Sequence, residues 1–311
     1  YFNSLEKIKN ENVNNPIVTS VMALQAEAVL SQQSTDNGQQ TSSTLAKVIV
    51  ICDEAIRLFP NSTGAKQCRS IRSVILRKEL TFKMQSVVLP NQEISANISY
   101  KNLTNPHYRI YKLNQNELDE LDGESKQDIV KTLLKKNYIV ENEIELPTTT
   151  RQNSSKDDYN YEAILANNFD FFLPSLECGI YFIMISKDDK FSKSEDNLPA
   201  IHAFQVSSLS FVTTKENNDF VVYVLDRDSG KPIKDVNVNI YKRTYDYKTR
   251  EYVNTTIADL TSDKDGIVRL TDTEDNLFYI NLSEITVAIF FRRCIRKFFK
   301  DRSKITLRWK P

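Results

Sequence analysis

Glycine, histidine and tryptophan are scarce in this chain of 311 residues, which contains 6, 2 and 1 of them. With only 6 glycines and 9 prolines, the composition excludes a collagen-like repeat and a linker-like chain. The two histidines, His107 and His202, are far apart in the sequence. A histidine-rich zinc site and a Ser-His-Asp triad are therefore poor interpretations.

The four cysteines, Cys52, Cys68, Cys178 and Cys294, form no C-x-x-C pair, which excludes a zinc ribbon and a thioredoxin-like site. Cys52 and Cys68 each lie 8 residues from Pro60, so an antiparallel helical hairpin would place them at similar height. A disulfide between them is one interpretation. The other interpretation is that Cys52 and Cys68 are two small residues of an apolar core.

Neither charge sign is in excess, since 41 Lys and Arg balance 41 Asp and Glu. This balance argues against a nucleic-acid binder that acts through bulk charge. Hydrophobic residues make up 40% of the chain, enough for buried cores, and its length predicts about two domains. We find no apolar run of 18 residues, no signal peptide and no initiator Met, and we expect the chain to be a piece of a longer protein.

Residues 1–78 are predicted to form an α-helical module. Apolar residues at steps of three and four predict helices over 17–33 and 44–59, and Ser62 is the predicted N-cap of a third. The phrase Cys52–Pro60 is similar to the second helix of a tetratricopeptide-type repeat.

From residue 79 the period changes to two, which predicts strands. About seven strands with polar turns predict an antiparallel β-sandwich over 79–206, interrupted by an amphipathic helix within 115–137. A second, smaller sandwich is predicted over 207–283. The expected fold class is therefore an α+β multidomain protein, with a helical hairpin module followed by two antiparallel sandwiches.

Four stretches between residues 173 and 266 carry short sequence motifs. The turn-bearing stretch Val224–Ile240 resembles V-x-D-x-x-[TS]-G-x-P, and Thr261–Gly266 resembles the T-D-x-D-G hairpin. Upstream, Leu173–Tyr181 resembles L-P-x-L-x-x-G-x-Y, and Phe204–Leu209 resembles the F-x-V-S-x-L domain junction. In their order along the chain, these four motifs resemble those of the macroglobulin domains of bacterial alpha-2-macroglobulins. The resemblance implies that both sandwiches are macroglobulin-like, immunoglobulin-like domains.

The resemblance also implies a function. Proteins of that family are secreted or periplasmic protease traps, often lipid-anchored, in which a protease cuts a bait segment and a C-x-E-Q thioester can bond to it. None of the four cysteines here begins that motif. We therefore expect a non-catalytic scaffold region of a protease inhibitor, periplasmic, cell-surface or secreted. Its expected partners are proteases, through the full-length protein, and neighbouring macroglobulin domains. No catalytic, metal or cofactor-binding residue and no cofactor is predicted.

The last residues, 284–311, contain nine Lys and Arg against two acidic residues. Phe298–Ser303 resembles the start of the family's next domain, so this tail is interpreted as a truncated domain start. A basic amphipathic helix over 285–300, lying on a membrane surface or an acidic partner, is the rival interpretation.

Other functions rest on weaker patterns. Asp263 and Glu274 have the spacing of the first and last ligands of a calcium loop, but Gly266 is misplaced and a hairpin turn is favoured. The carboxylate pairs Glu143 with Glu145 and Asp157 with Asp158 could be proposed for a glycosidase, and a solvated surface is favoured for both.

Two further function classes remain open. The aromatic residues Phe169, Phe171 and Phe172 are expected in the core rather than on a sugar platform. A surface adhesin or glycan-binding lipoprotein built from sandwiches is nevertheless the alternative function. An enzyme is disfavoured because no P-loop, G-x-G-x-x-G, G-x-S-x-G or H-E-x-x-H motif occurs.

Overall fold

The computed structural model describes residues 2–32, 42–147, 164–191, 198–249, 251–271 and 278–284. The chain begins with helices and continues with sheets that are antiparallel in all pairings but one, as expected of an α+β protein. The four N-terminal helices are α1 (Phe2–Glu11), α2 (Val18–Gln32), α3 (Ser42–Leu58) and α4 (Thr63–Leu76). The three predicted helices correspond to α2, α3 and α4, and α1 was not predicted.

Helices α2, α3 and α4 pack around one apolar core, which includes Met22, Val48, Ile49, Cys52, Ala55 and Cys68. Ser62 caps α4 as predicted, because its hydroxyl accepts from the backbone N–H of Ala65. Helix α4 approaches α2 closely at Gly64, where an added Cβ would lie 2.1 Å from the carbonyl carbon of Thr19. Only glycine allows this approach.

The first sheet pair consists of a three-stranded and a five-stranded sheet. The three-stranded order is β1 (Glu79–Met84), β3 (Ile94–Lys101), β6 (Asn167–Leu173). The five-stranded order is β2 (Val87–Val88), β8 (Ala200–Val206), β7 (Gly179–Ser186), β4 (His107–Leu113), β5 (Val140–Glu143). The two sheets share one apolar core, with members such as Ile98, Phe171, Ile183 and Phe204.

One pairing differs from the antiparallel expectation, because β2 runs parallel to β8. Only Gln85 and Ser86 separate β1 from β2, so the chain crosses from one sheet to the other without a reversing turn.

The prediction of one amphipathic helix within 115–137 is confirmed only in part. Two short helices, α5 (Gln115–Glu120) and α6 (Lys126–Leu133), lie there instead. Gly123, with φ +90°, interrupts the helical conformation between them. Asn114 is the N-cap of α5, and Ser125 is the N-cap of α6. The helices cover the outer face of β7, which is why that strand is apolar on both faces.

The second sheet pair has two three-stranded sheets. One has the order β13 (Ile267–Leu270), β10 (Asp219–Asp226), β9 (Leu209–Glu216). The other has the order β12 (Glu251–Thr261), β11 (Val236–Asp246), β14 (Tyr279–Glu284). Their shared core contains Val222, Val224, Val238 and Ile280. Strands β11 and β12, of 11 residues each, pair antiparallel.

Candidate functional site: the turn pair and the sheet-pair junction

Two of the quoted motifs, Val224–Ile240 and Thr261–Gly266, meet at one end of the second sheet pair. We call residues 226–232 and 262–266 the turn pair. In the first turn the Asp226 carboxylate accepts from the backbone N–H of Ser229 at 2.7 Å and from its hydroxyl at 2.6 Å. These hydrogen bonds hold the pKa of Asp226 below its ordinary value. The backbone N–H of Gly230 donates to the Asp226 carbonyl at 2.9 Å and closes the turn.

The second turn is built in the same way around Asp263. Its carboxylate accepts from the backbone N–H groups of Asp265 at 2.9 Å and Ile267 at 2.8 Å. Gly266 has φ +71°. Asp263 thus uses its carboxylate on its own turn, as expected of a hairpin rather than a calcium loop. The other end of the proposed loop, Glu274, lies outside the described residues.

The two turns contact one another through Gly266. Its carbonyl accepts from the Val224 N–H at 2.7 Å. A Cβ at Gly266 would lie 2.5 Å from the Val224 carbonyl oxygen and 2.9 Å from Cβ of Pro232. Gly266 of one motif must therefore lack a side chain, because Val224 and Pro232 of the other motif leave no room for a Cβ.

Ser262 ties the turn pair to the sheet. Its side chain is 3% exposed, donates to the Ile233 carbonyl at 2.8 Å and accepts from the Val236 N–H at 3.0 Å. These motif polar groups are thus engaged in holding the turns and strands, and their role is structural.

The segment 205–209 joins the two sheet pairs. On one side, the N–H groups of Gln205 and Ser207 donate to the carbonyls of Ser86 and Val88, both at 2.9 Å. On the other, the Leu209 carbonyl accepts from Nη2 of Arg227 at 2.9 Å. The backbone is thereby held from both directions.

Apolar contacts reinforce this junction. Val87 and Cys178 of the first sheet pair pack against the core of the second. Ser207 and Leu209 are fully buried, and the Ser207 hydroxyl accepts from the Leu209 N–H at 3.0 Å. A second bridge lies farther out, where the Arg243 guanidinium of β11 donates to the Asp122 carboxylate beside α5.

A cleft of about 530 Å³ opens beside the junction. It is lined by the end of β1, by β2, by the start of β3 and by Arg227. Sequence reasoning missed Arg227 and the Asp122–Arg243 pair, although Arg227 stands inside a quoted motif. The turn residues of that motif can be predicted because Gly, Pro, Asp and Ser are typical of turns. An arginine that donates to a carbonyl far away in the sequence has no such pattern.

The proposed carboxylate pairs do not form a catalytic arrangement in the described part of the chain. Glu143 and Glu145 are exposed, and Glu143 accepts from the Asn105 amide. Asp157 and Asp158 lie outside the described residues. Among the described residues, no group of three or more His, Cys, Asp and Glu side chains could hold a metal ion.

Arg109 on β4 is the centre of a cluster of charged and aromatic side chains. Its guanidinium donates to both oxygens of Glu141 on β5, at 3.1 and 3.2 Å. It also lies over the rings of Tyr138 and Phe191, 4.7 and 4.1 Å from their centroids. The hydrogen bonds from Arg109 hold the pKa of Glu141 below its ordinary value. This cluster pins the edge strand β5.

His202 and the three phenylalanines of β6 are the remaining residues considered as functional candidates, and they do not form one site. His202 is packed edge-on against Phe82, and burial lowers the pKa of the imidazole. Phe171 is buried and Phe169 packs against the core, but Phe172 is 63% exposed, so the prediction of a packed aromatic cluster is wrong for that residue. Strand alternation turns Phe172 to solvent.

Within the described residues, none of the helices is long and apolar enough to cross a membrane. The basic helix predicted over 285–300 lies outside the described residues.

Comparison with known proteins gives likeness of structure only. No protein-family model matches the chain, and no curated protein matches it. Among solved structures, it is similar to native alpha-2-macroglobulin from Escherichia coli spanning domains NIE-MG1, with 13% identity and a TM-score of 0.42, over 68% of this chain and 99% of that one.

A longer piece of the same protein, spanning domains MG0-NIE-MG1, matches with 12% identity and a TM-score of 0.41, over 67% of this chain and 64% of that one. The native conformation of E. coli alpha-2-macroglobulin, seen by cryo-EM, matches with 13% identity and a TM-score of 0.36. That match covers 68% of this chain and 13% of that structure, so the chain spans a small part of it.

Proposed function

We propose that this chain is the non-catalytic, amino-terminal scaffold region of a bacterial alpha-2-macroglobulin-like protease inhibitor. It would comprise a helical module over 1–78, macroglobulin-like sandwiches over 79–206 and 207–283, and the start of a further domain from 284. The observation that carries the proposal is the contact of Gly266 with Val224 and Pro232. The contact explains why the motif Thr261–Gly266 has a glycine where it packs against Val224 and Pro232 of the other motif.

The junction supports a framework role. Backbone hydrogen bonds to Ser86 and Val88, and the Arg227 bond to Leu209, hold the connecting segment along its length. These contacts restrict rotation of one sheet pair relative to the other. A region that supports the protease-trapping domains of a larger protein needs such a fixed arrangement.

The trapping chemistry would reside elsewhere in the full-length protein. A bait segment would be cut by a protease, and a C-x-E-Q thioester would then bond to it. The partners would be proteases and neighbouring macroglobulin domains, and the location periplasmic or at the cell surface, with a lipid anchor as the only link to a membrane.

Two observations test the proposal together. The coding sequence downstream of residue 311 is expected to encode a C-x-E-Q motif several hundred residues on. The present chain, incubated with trypsin and analysed on a denaturing gel, is expected to give no covalent adduct. A downstream sequence without macroglobulin-like strands, or a denaturant-resistant adduct of this chain, would contradict the proposal.

The adhesin or glycan-binding function has one observation in its favour, the exposed ring of Phe172. A glycan array probed with the chain and with Phe172→Ala decides the matter. Binding that the substitution abolishes would favour the adhesin, and the scaffold proposal predicts no binding by either protein.

A further inference from the structure

Two fully buried thiols face each other across the α3–α4 helical hairpin. Cys52 lies on α3 and Cys68 on α4, and both are 0% exposed within the same apolar core. Both are free cysteines in this structure. The two side chains are close enough to shift each other's pKa. The pair is therefore in contact, although 15 residues separate the two cysteines in the sequence.

The hairpin fixes this contact. Cys52 precedes the end of α3 at Leu58 by six residues, and Cys68 follows the start of α4 at Thr63 by five. At about 1.5 Å of rise per residue, both lie about 8–9 Å from the turn, at the same height. The Arg72–Asp53 ion pair, with Nε 2.7 Å from Oδ1, holds the same two helices in register beside the thiols.

We propose that Cys52 and Cys68 are a disulfide-forming pair, closed by thiol–disulfide exchange with a small-molecule or protein disulfide. One cysteine, as the thiolate, attacks the oxidant's S–S bond and releases one oxidant thiol. The second cysteine then displaces the other half of the oxidant from the mixed disulfide. The two cysteines together lose two electrons and two protons, and the oxidant disulfide takes them up to become two thiols.

Because both side chains are buried, the exchange takes place before α3 and α4 pack during folding, or when the two helices separate transiently. The order in which the two cysteines react does not change the linkage that forms.

Cys178 provides an internal control. It is half-buried at the junction, packed against the core of the second sheet pair, and belongs to a different core from the Cys52–Cys68 pair. The inference therefore predicts that one specific pair of thiols is lost on oxidation while Cys178 survives. It is independent of the proposed function, whose success or failure does not alter it.

The test uses the full chain carrying Cys294→Ser, so that the three remaining thiols are those of described residues. The protein is refolded in an excess of oxidised glutathione, denatured in guanidinium, alkylated with iodoacetamide and digested with trypsin. Cleavage after Lys47, Arg57, Lys66 and Arg69 releases the two cysteines on separate peptides. We expect a disulfide-linked species of Val48–Arg57 with Gln67–Arg69, and an alkylated Cys178.

A second measurement tests the same pair without mass spectrometry. Reduction of the oxidised protein with dithiothreitol is expected to lower its thermal midpoint by several degrees, since the cross-link no longer restrains the unfolded chain. The double variant Cys52→Ala, Cys68→Ala should show no response to dithiothreitol. Alkylation of all three thiols after refolding, or a linkage that involves Cys178, would overturn the inference.

Discussion

Gly266 and Val224 lie so close that the glycine carbonyl accepts the valine N–H at 2.7 Å, while an added Cβ at Gly266 would meet the valine carbonyl oxygen at 2.5 Å. The contact joins two motifs that resemble those of macroglobulin domains. It explains why a glycine is needed at this hairpin. It also shows that motif residues can have a structural role without any chemistry of their own.

Gly266→Ala is therefore expected to lower the free energy of unfolding, since it adds both backbone strain at φ +71° and a clash with Val224. We expect a loss of about 2–3 kcal/mol in urea denaturation. Gly230→Ala is the matched control, because Gly230 has φ +68° but no atom within 4 Å of its added Cβ. It should cost about 1 kcal/mol from strain alone. Equal losses for the two variants would show that the contact between the motifs is not important.

Gly64→Ala tests the close approach of α4 to α2. In an exposed helix this change stabilises by about 1 kcal/mol. Here the added Cβ would lie 2.1 Å from the Thr19 carbonyl carbon, so we expect a loss of stability instead. Circular dichroism during thermal unfolding measures the change, with Ser70→Ala on the exposed surface of α4 as control. A rise in the midpoint for Gly64→Ala would contradict the helix packing described here.

Arg227→Met tests the junction. The substitution keeps the aliphatic chain and removes the donor to the Leu209 carbonyl, at an expected cost of about 1 kcal/mol. Hydrogen exchange should become faster at Ser207 and Leu209, while amides in the helical core keep their rates. Lys231→Met, an exposed change four residues away, should leave all these rates unchanged. If both variants exchange alike, Arg227 does not hold the junction.

Acid should weaken the turn pair. The pKa of Asp226 is depressed in the folded chain by its hydrogen bonds from Ser229, so its ionised form stabilises folding above the unfolded pKa. That contribution is lost as the pH falls from about 4 through the lower, folded value. Denaturation at a series of pH values should show a shallower acid decline for Asp226→Asn, whose amide oxygen still accepts but does not titrate. An unchanged slope would exclude Asp226 as a contributor.

Much of the fold could be predicted from local patterns, and the failures have physical causes. Apolar spacing predicts α2, α3 and α4 because their buried faces repeat at the helical period, whereas α1 has a polar composition. The prediction of one helix within 115–137 did not take account of Gly123, whose positive φ lies between the two short helices, just before Ser125 caps the second. The parallel pairing of β2 with β8 depends on a crossing between sheets, and no local pattern encodes it.

The site was predictable only in part. Turn residues such as Gly230 and Gly266 stand out in sequence because positive φ favours glycine. The long-range partners do not, since nothing in the sequence joins Arg227 to Leu209 or Asp122 to Arg243. The exposure of Phe172 follows from strand register, which the aromatic run alone did not define.

The most direct test of the scaffold account is made on the full-length protein encoded by the parent gene. The protein is incubated with trypsin, and any covalent protease adduct is isolated under denaturing conditions and mapped by mass spectrometry. The account predicts that the bond to the protease lies outside residues 1–283, and that replacing the cysteine of the downstream C-x-E-Q motif abolishes the adduct. A bond to a side chain within residues 1–283 would contradict it.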